Sequence, residues 1–311
     1  MIFAYKTSSD GILEVTKDFE INSWLNITSP SKEELEEVSL RFNIPMDFLQ
    51  NPLDLEESAR IEYDKDTNCT LITIDFPIID VNNNQLNSYI TIPIGIIIGT
   101  DYIMTVCNET CPFLDNLIKA NVNSNMRSRL AISILSSIST EYLNDLKQLN
   151  KQRIRIESNL RDSLTNRQLF DLMEIEKSLI YFLTSLKSND DVIKKLIRTN
   201  SIKLYEDDKE LLDELIIENT QAIETTELYT RILDSITDSY SSLISNEMNN
   251  TVKTLTVITV FFTIPTLIFS FFGMNVPLPL TDKPTGWVIT LLISLFFGIW
   301  VAAALLRRKI L

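Results

Sequence analysis

Seven positions near the end of the chain, Asn249, Val252, Thr256, Thr259, Thr263, Thr266 and Ser270, recur at steps of 3, 4, 3, 4, 3 and 4. On a helix that spacing puts all seven on one face, and six of them are polar. No charged side chain stands among them. That rules out a proton relay built from intramembrane carboxylates and fits an ion that passes with its water shell on. A second group is acidic: between Glu206 and Glu247 there are 12 carboxylates against only Lys209 and Arg231. Carboxylates in that number could hold divalent cations through oxygen, or could simply be a solvated charged face. The chain has no histidine, so a histidine base and most zinc, copper or nickel sites lose their usual ligand. Cys69, Cys107 and Cys111 are too few and too irregular for a disulfide framework or a zinc site, and read as free thiols in a reducing compartment. Lys plus Arg number 28 against 42 Asp plus Glu, a net charge of -14 that repels nucleic-acid phosphate.

The elements that must position the polar row come from hydropathy. From Thr254 to Phe272 there is no charge, and extending back to Thr251 adds only Lys253, which is long enough to cross a hydrocarbon core of about 30 Å. A polar break carrying Pro277, Pro279, Asp282, Lys283, Pro284 and Gly286 follows, and then Trp287 to Leu306 is uncharged for 20 residues. Arg307, Arg308 and Lys309 come next, so the positive-inside rule expects a cytoplasmic C-terminus, and two crossings return the large N-terminal part to the same side. The N-terminus MIFAYKTSSDG has no basic segment followed by an apolar one, so no signal peptide is expected. Threonine and serine in spans often bond their own helix carbonyls or a neighbouring helix. A whole row is better accounted for by a water-filled lumen. Two helices cannot enclose water, so several copies should ring an axis with this face inward, a homo-oligomeric pore.

Residues 1–115 alternate β-branched runs with turn signals: Met1 to Lys6, Ile12 to Val15, Thr70 to Phe76, Ile90 to Ile98 and Tyr102 to Val106. These predict strands of one mixed sheet. Ser31 opens a helix with Glu33 and Glu34 in its first turn and Leu35, Val38 and Phe42 at helical spacing, and a shorter helix is expected around Asp47 to Leu55. From Leu114 to Asn250 there is neither proline nor glycine, and breaks near Arg161 to Thr165 and Thr199 to Tyr205 give helices of roughly 120 to 160, 166 to 198 and 206 onward. In the last of these Leu212, Leu215, Ala222, Tyr229, Leu233, Ile236, Tyr240 and Leu243 fall on heptad positions interrupted by Asn219 and Thr226. Nothing stops it before the first span, so about 65 residues should form one rod near 100 Å long. The expected class is an α/β N-terminal cytoplasmic domain plus a long-helix stalk, with a C-terminal two-helix transmembrane hairpin. Its parts are an α/β domain over 1–115, a helical hairpin region over 116–205, a stalk over 206–272 entering the first span at about 251, an outer loop over 273–286, a second span over 287–306 and a basic tail over 307–311.

The first span ends in Phe271-Phe272-Gly273-Met274-Asn275. That pentapeptide, with a short outer loop, a last span, a basic C-terminus and an acidic α/β-plus-long-helix domain, resembles the CorA family of magnesium channels. Lesser likenesses are Trp24-Leu25-Asn26-Ile27 with Pro30, similar to an early tryptophan motif, and Glu56 to Asp64, similar to a charged stretch before the sheet. The resemblance implies a homopentamer in the lipid bilayer, no enzyme, with Mg2+ both transported and regulatory. It implies that Gly273, Met274 and Asn275 form the selectivity ring, Asn275 holding hydrated magnesium through its water and Gly273 supplying a tight or positive-φ backbone. Asn249, Leu255 and Thr266 coincide with the family's pore-facing asparagine, hydrophobic constriction and threonine, while Val252 and Thr263 replace frequent methionines. Phe272 stands where the family usually has tyrosine, and the loop has only Asp282 beside Lys283 where an acidic pair is common. Asp213 and Glu214 fall where a stalk ligand for regulatory magnesium is expected, and Asp80 is a candidate from the sheet. The same scaffold carrying zinc, cobalt or nickel is an alternative reading, and a membrane-tethered sensor without transport is another. A phosphate loop and a nucleophile elbow are both missing from the sequence.

Overall fold

The structure is a computed structural model that describes residues 1–16, 20–80, 88–162, 166–199, 205–276 and 285–307. It divides into two compact units, Met1–Ser235 and Ile236–Leu311. The first is built on a seven-stranded sheet of β1 (Ile2–Thr7), β2 (Leu13–Thr16), β3 (Ser23–Thr28), β4 (Arg60–Asp64), β5 (Cys69–Ile79), β6 (Tyr89–Ile98) and β7 (Tyr102–Cys107). Their order is β2-β1-β3-β7-β6-β5-β4, and β3 and β7 form the parallel pair in an otherwise antiparallel sheet. A mixed sheet was expected, but the sequence showed five of the seven strands. β3 escaped because Trp24, Leu25 and Ile27 are all fully buried, so the strand lacks the in-out alternation by which strands are recognised. Asn26 in it accepts from the Thr105 hydroxyl of β7 at 3.0 Å, and that hydroxyl oxygen also accepts from the Trp24 indole at 3.1 Å. β4 escaped for the opposite reason: Arg60, Glu62 and Asp64 mark it as an edge, where charge discourages further pairing.

Helices cover both sheet faces. On one side α1 (Lys32–Phe42) and α2 (Met46–Gln50), with a 3-10 turn at Asn51–Leu53, pack Leu35, Val38, Phe48 and Leu49 against Leu25, Leu71, Ile97 and Met104. Ser31 caps α1 in a full capping box with Glu34, as the sequence anticipated. On the other side lie α4 (Arg127–Asp162) and α5 (Asn166–Thr199), whose buried Tyr142 and Phe182 meet edge to face at 5.1 Å. The first long helix was expected from about residue 120. Instead α3 (Pro112–Lys119) ends before Asn121, which adopts φ 53, and Ser124 is tied to Thr7 by paired bonds of 3.0 and 2.9 Å before α4 begins. Asparagine's tolerance of the left-handed region breaks the helix with no proline or glycine present.

α6 (Glu206–Phe272) is one uninterrupted helix shared by the two units, with Pro265 inside it, and α7 (Gly286–Arg307) completes the second unit. Leu212, Leu215, Asn219, Ala222, Thr226, Leu233 and Tyr240 are buried along α6. Asn219 and Thr226, read as interruptions of the heptad, are therefore members of the seam, 1% and 0% exposed. Tyr229 and Ile236, which fall on heptad positions, are only half-buried, and Leu243 is exposed.

Candidate functional site

In the second unit, α6 and α7 are both long and apolar enough to cross a membrane, with mean hydropathies of 2.1 and 2.3 over their most apolar windows. Along α6 the row Val257, Val260, Ile264, Ile268 and Phe272 is half-buried. Ile264 and Ile268 look across a cavity of about 370 Å³ at Ile293, Phe297 and Val301 of α7. A different row carries the predicted lining residues. Asn249, Val252, Leu255, Thr256, Thr259, Thr263, Thr266 and Ser270 are all exposed, and so are Gly273, Met274 and Asn275. The wall of that cavity is apolar apart from Thr263, the one member of the oxygen-bearing row that borders it.

The threonine hydroxyls of that row bond within their own helix. Thr256 donates to the Val252 carbonyl and Thr259 to that of Leu255, each at 2.8 Å. Thr263 and Thr266 donate to Thr259 and Phe262 at 2.7 Å. Thr251 and Thr254, which lie off the row, do the same, so back-bonding by itself does not mark the row. It does fix what the row offers. A hydroxyl has one proton and two lone pairs, so a threonine that gives its proton to a carbonyl presents only acceptor lone pairs outward.

At the end of α6, Gly273 N–H donates to the Phe269 carbonyl at 2.9 Å and Met274 N–H to that of Phe271 at 3.4 Å. Gly273 does not adopt positive φ; among the described residues Gly11 is the glycine that does. What glycine supplies at 273 is room, since a Cβ there would stand 3.2 Å from the Phe269 carbonyl oxygen. Of the outer loop, residues 277–284 with Asp282 and Lys283 lie outside the described residues, as do Arg308 and Lys309 of the basic tail.

The three acidic candidates do not converge within one chain. Asp80 follows β5 and borders a cavity of about 450 Å³ with Glu109, Glu141, Asp145 and Tyr89. Glu214 borders a separate cavity of about 390 Å³ with Glu218, Thr140 and, from its other side, Glu141. Asp213 is exposed on α6. Among the described residues no three carboxylate or thiol side chains stand in a metal-holding arrangement. Sequence reasoning missed Glu141 and Asp145, because on a polar amphipathic helix they look like any solvated pair. Burial pushes the Asp145 carboxyl up to about 7, with the charge of Glu141 adding to it and a hydrogen bond from Tyr89 opposing. Burial also raises Glu141. Glu218 is raised by burial, against the hydroxyl of Thr140, which donates to it at 3.3 Å.

Comparisons with known proteins bear on the fold and the family. A cobalt/magnesium transport protein CorA of Methanocaldococcus jannaschii is 27% identical over 97% of this chain and 97% of its own length. A magnesium transport protein CorA of Helicobacter pylori is 23% identical over 89% of this chain and 87% of its own. The complete structure of the M. jannaschii CorA magnesium transporter superposes with a TM-score of 0.84 at 25% identity, covering 99% of this chain and 98% of that one. Full-length CmaX shares the fold, with a TM-score of 0.74 at 16% identity over 99% of this chain and 97% of that one. The family model described as CorA-like Mg2+ transporter protein matches residues 20–308, the whole span from before β3 into the tail beyond α7, and the chain belongs to that family.

Proposed function

We propose that this protein is a homopentameric channel for hydrated Mg2+, set in the cell membrane with both termini cytoplasmic. The observation that carries the reading is the exposed row from Asn249 to Ser270, which leads to Gly273-Met274-Asn275 at the helix end. Five copies with that row inward enclose a lumen whose threonine lone pairs accept from the outward-pointing protons of hydration water. Magnesium sheds water reluctantly, so a lining that reads the shell rather than the bare ion suits it. Leu255 supplies an apolar constriction among these oxygens, and the Asn275 amides form a neutral ring at the outer mouth. Influx needs no cofactor, because a divalent cation gains about 4.6 kcal/mol per 100 mV of inside-negative potential.

Gating follows from charge. Twelve carboxylates between Glu206 and Glu247 make parallel stalks repel. Mg2+ bound between neighbouring subunits by Asp213, Glu214 and Asp80 relieves that repulsion and favours the closed ring, so rising internal Mg2+ shuts off its own entry.

The test is fluorescent Mg2+ uptake into proteoliposomes, with hexaamminecobalt, a mimic of the hydrated ion, as competitor. Wild-type uptake should be blocked by the competitor, and Asn275→Ala should abolish uptake while the oligomer stays assembled. Preserved flux in that variant would count against the selectivity role. No flux in wild type, together with no effect of changing the threonine row to leucine, would favour a membrane-anchored sensor instead.

A further inference from the structure

Two helices of the first unit carry exposed faces of opposite charge. On α4, Lys147, Lys151, Ile154 and Arg155 follow at steps of 4, 3 and 1, which puts them on one face, and all four are exposed, Ile154 at 51%. No Asp or Glu stands between Lys147 and Arg155. Arg153, off that face, is already paired with Glu157 at 2.9 Å, whereas Lys147, Lys151 and Arg155 have no ion pair among the described residues.

On α6, Glu210, Asp213 and Ile217 follow at steps of 3 and 4, Glu224 and Leu228 continue the same face, and all five are exposed, Ile217 at 66%. No Lys or Arg stands between Glu210 and Leu228. Each face therefore sets aliphatic side chains among charges of one sign, and the two signs are opposite. The faces do not cover each other within one chain, since both stay exposed. The helices that carry them do meet there, two turns earlier on the same face of α4, where Thr140 donates to Glu218 at 3.3 Å. Where α4 is rich in hydroxyls it takes α6 of its own chain, and where it turns basic its own chain leaves it open.

The spacing matches as well. Lys147 to Ile154 and Glu210 to Ile217 are each seven residues, about 10 Å of helix, with a second charge between the ends of each. Copies that each carry a net charge of -14 repel through their acidic helices, and the basic face supplies the counter-charge from within the same chain.

We propose that this face of α4 docks on the acidic face of α6 in a second copy of the chain, the two helices parallel, with Lys147 and Lys151 against Glu210 and Asp213 and with Ile154 on Ile217. The ion pairs set register and partner, and the aliphatic contact excludes water between them. The proposal rests on the homo-oligomer reading and deepens it.

The experiment co-expresses full-length chains carrying only Ile154→Cys with tagged chains carrying only Ile217→Cys, and oxidises the purified protein in detergent with copper phenanthroline at fixed Mg2+. The three native cysteines are buried. The expected product is a mixed disulfide-linked dimer that neither variant gives alone. Lys147→Glu or Glu210→Lys should each lower its yield at least two-fold, and the two together should restore it. In the unsubstituted oligomer Lys147 and Lys151 should acylate more slowly than after dissociation, a readout that needs no variant to fold. An intact oligomer by native mass spectrometry without the mixed dimer, or a dimer indifferent to both charge reversals, would overturn this contact and leave the oligomer reading standing. A monomer would overturn both. Shielding of Lys147 and Lys151 only in nanodiscs of anionic lipid, without the mixed dimer, would make a lipid surface the occupant and overturn the contact too.

Discussion

Asp145 shows how a single carboxyl takes its chemistry from its surroundings. Unfolded, it titrates near 4; folded, burial first and Glu141 second push it up to about 7. Between those values the native state holds a proton that the unfolded state has lost, so stability falls as pH rises across that window, by up to roughly 1.4 kcal/mol per pH unit from this group. Asp145→Asn should flatten that slope between about pH 4 and 7 in urea titrations, and Glu141→Gln should narrow the window from its upper end. Gly95 is a second residue whose identity is set by its neighbours. A Cβ there would stand 2.8 Å from the Cβ of Pro52, and the Pro52 ring carbon lies closer still. Neither proline nor strand can yield easily, so Gly95→Ala should cost about 1–3 kcal/mol in chemical denaturation through overpacking. Neither residue announced itself in the chain. Gly273 did, but for a different reason than expected: it serves by the closeness of the Phe269 carbonyl and not by positive φ.

At the scale of the element, α6 carries two surfaces with separate tasks. Its N-terminal seam buries Asn219, whose amide nitrogen has no partner among the described residues, at a position where leucine would be the stable choice. Asn219→Leu should therefore raise stability by about 1–2 kcal/mol, read as a higher urea midpoint at unchanged slope. Further along, the threonine row spends its protons on its own helix. Valine has the shape of threonine without the oxygen, so Thr259→Val with Thr263→Val should leave helix and oligomer intact while reducing Mg2+ uptake at least several-fold. Undiminished flux in that double variant would argue that the row faces lipid or protein and not water. The seam's periodicity was visible in the sequence, but whether Asn219 and Thr226 broke it or belonged to it depended on what packs against them.

For the whole molecule the decisive property is assembly. Native mass spectrometry in detergent should give five copies, and a stable monomer in lipid would remove the pore. If Mg2+ is held between subunits as proposed, it stabilises by mass action, about 2.7 kcal/mol at 100 times the dissociation constant, so chelation should lower the melting temperature. Combined Asp80→Asn, Asp213→Asn and Glu214→Gln should abolish that shift. What the sequence determined alone was whatever depends on neighbours a few positions away. Hydropathy over twenty residues gave the spans, the 3/4 spacing gave the polar row, Ser31 with Glu34 gave the capped start of α1, and Phe271 to Asn275 gave the family likeness. Tertiary structure decided whatever depends on contacts made at long separation: β3 as an interior strand paired to β7, Asn219 inside the seam, and Asp145 raised beside Glu141. Burial and partner are properties of position in space, and local sequence encodes them only where one face repeats with the period of the element that carries it.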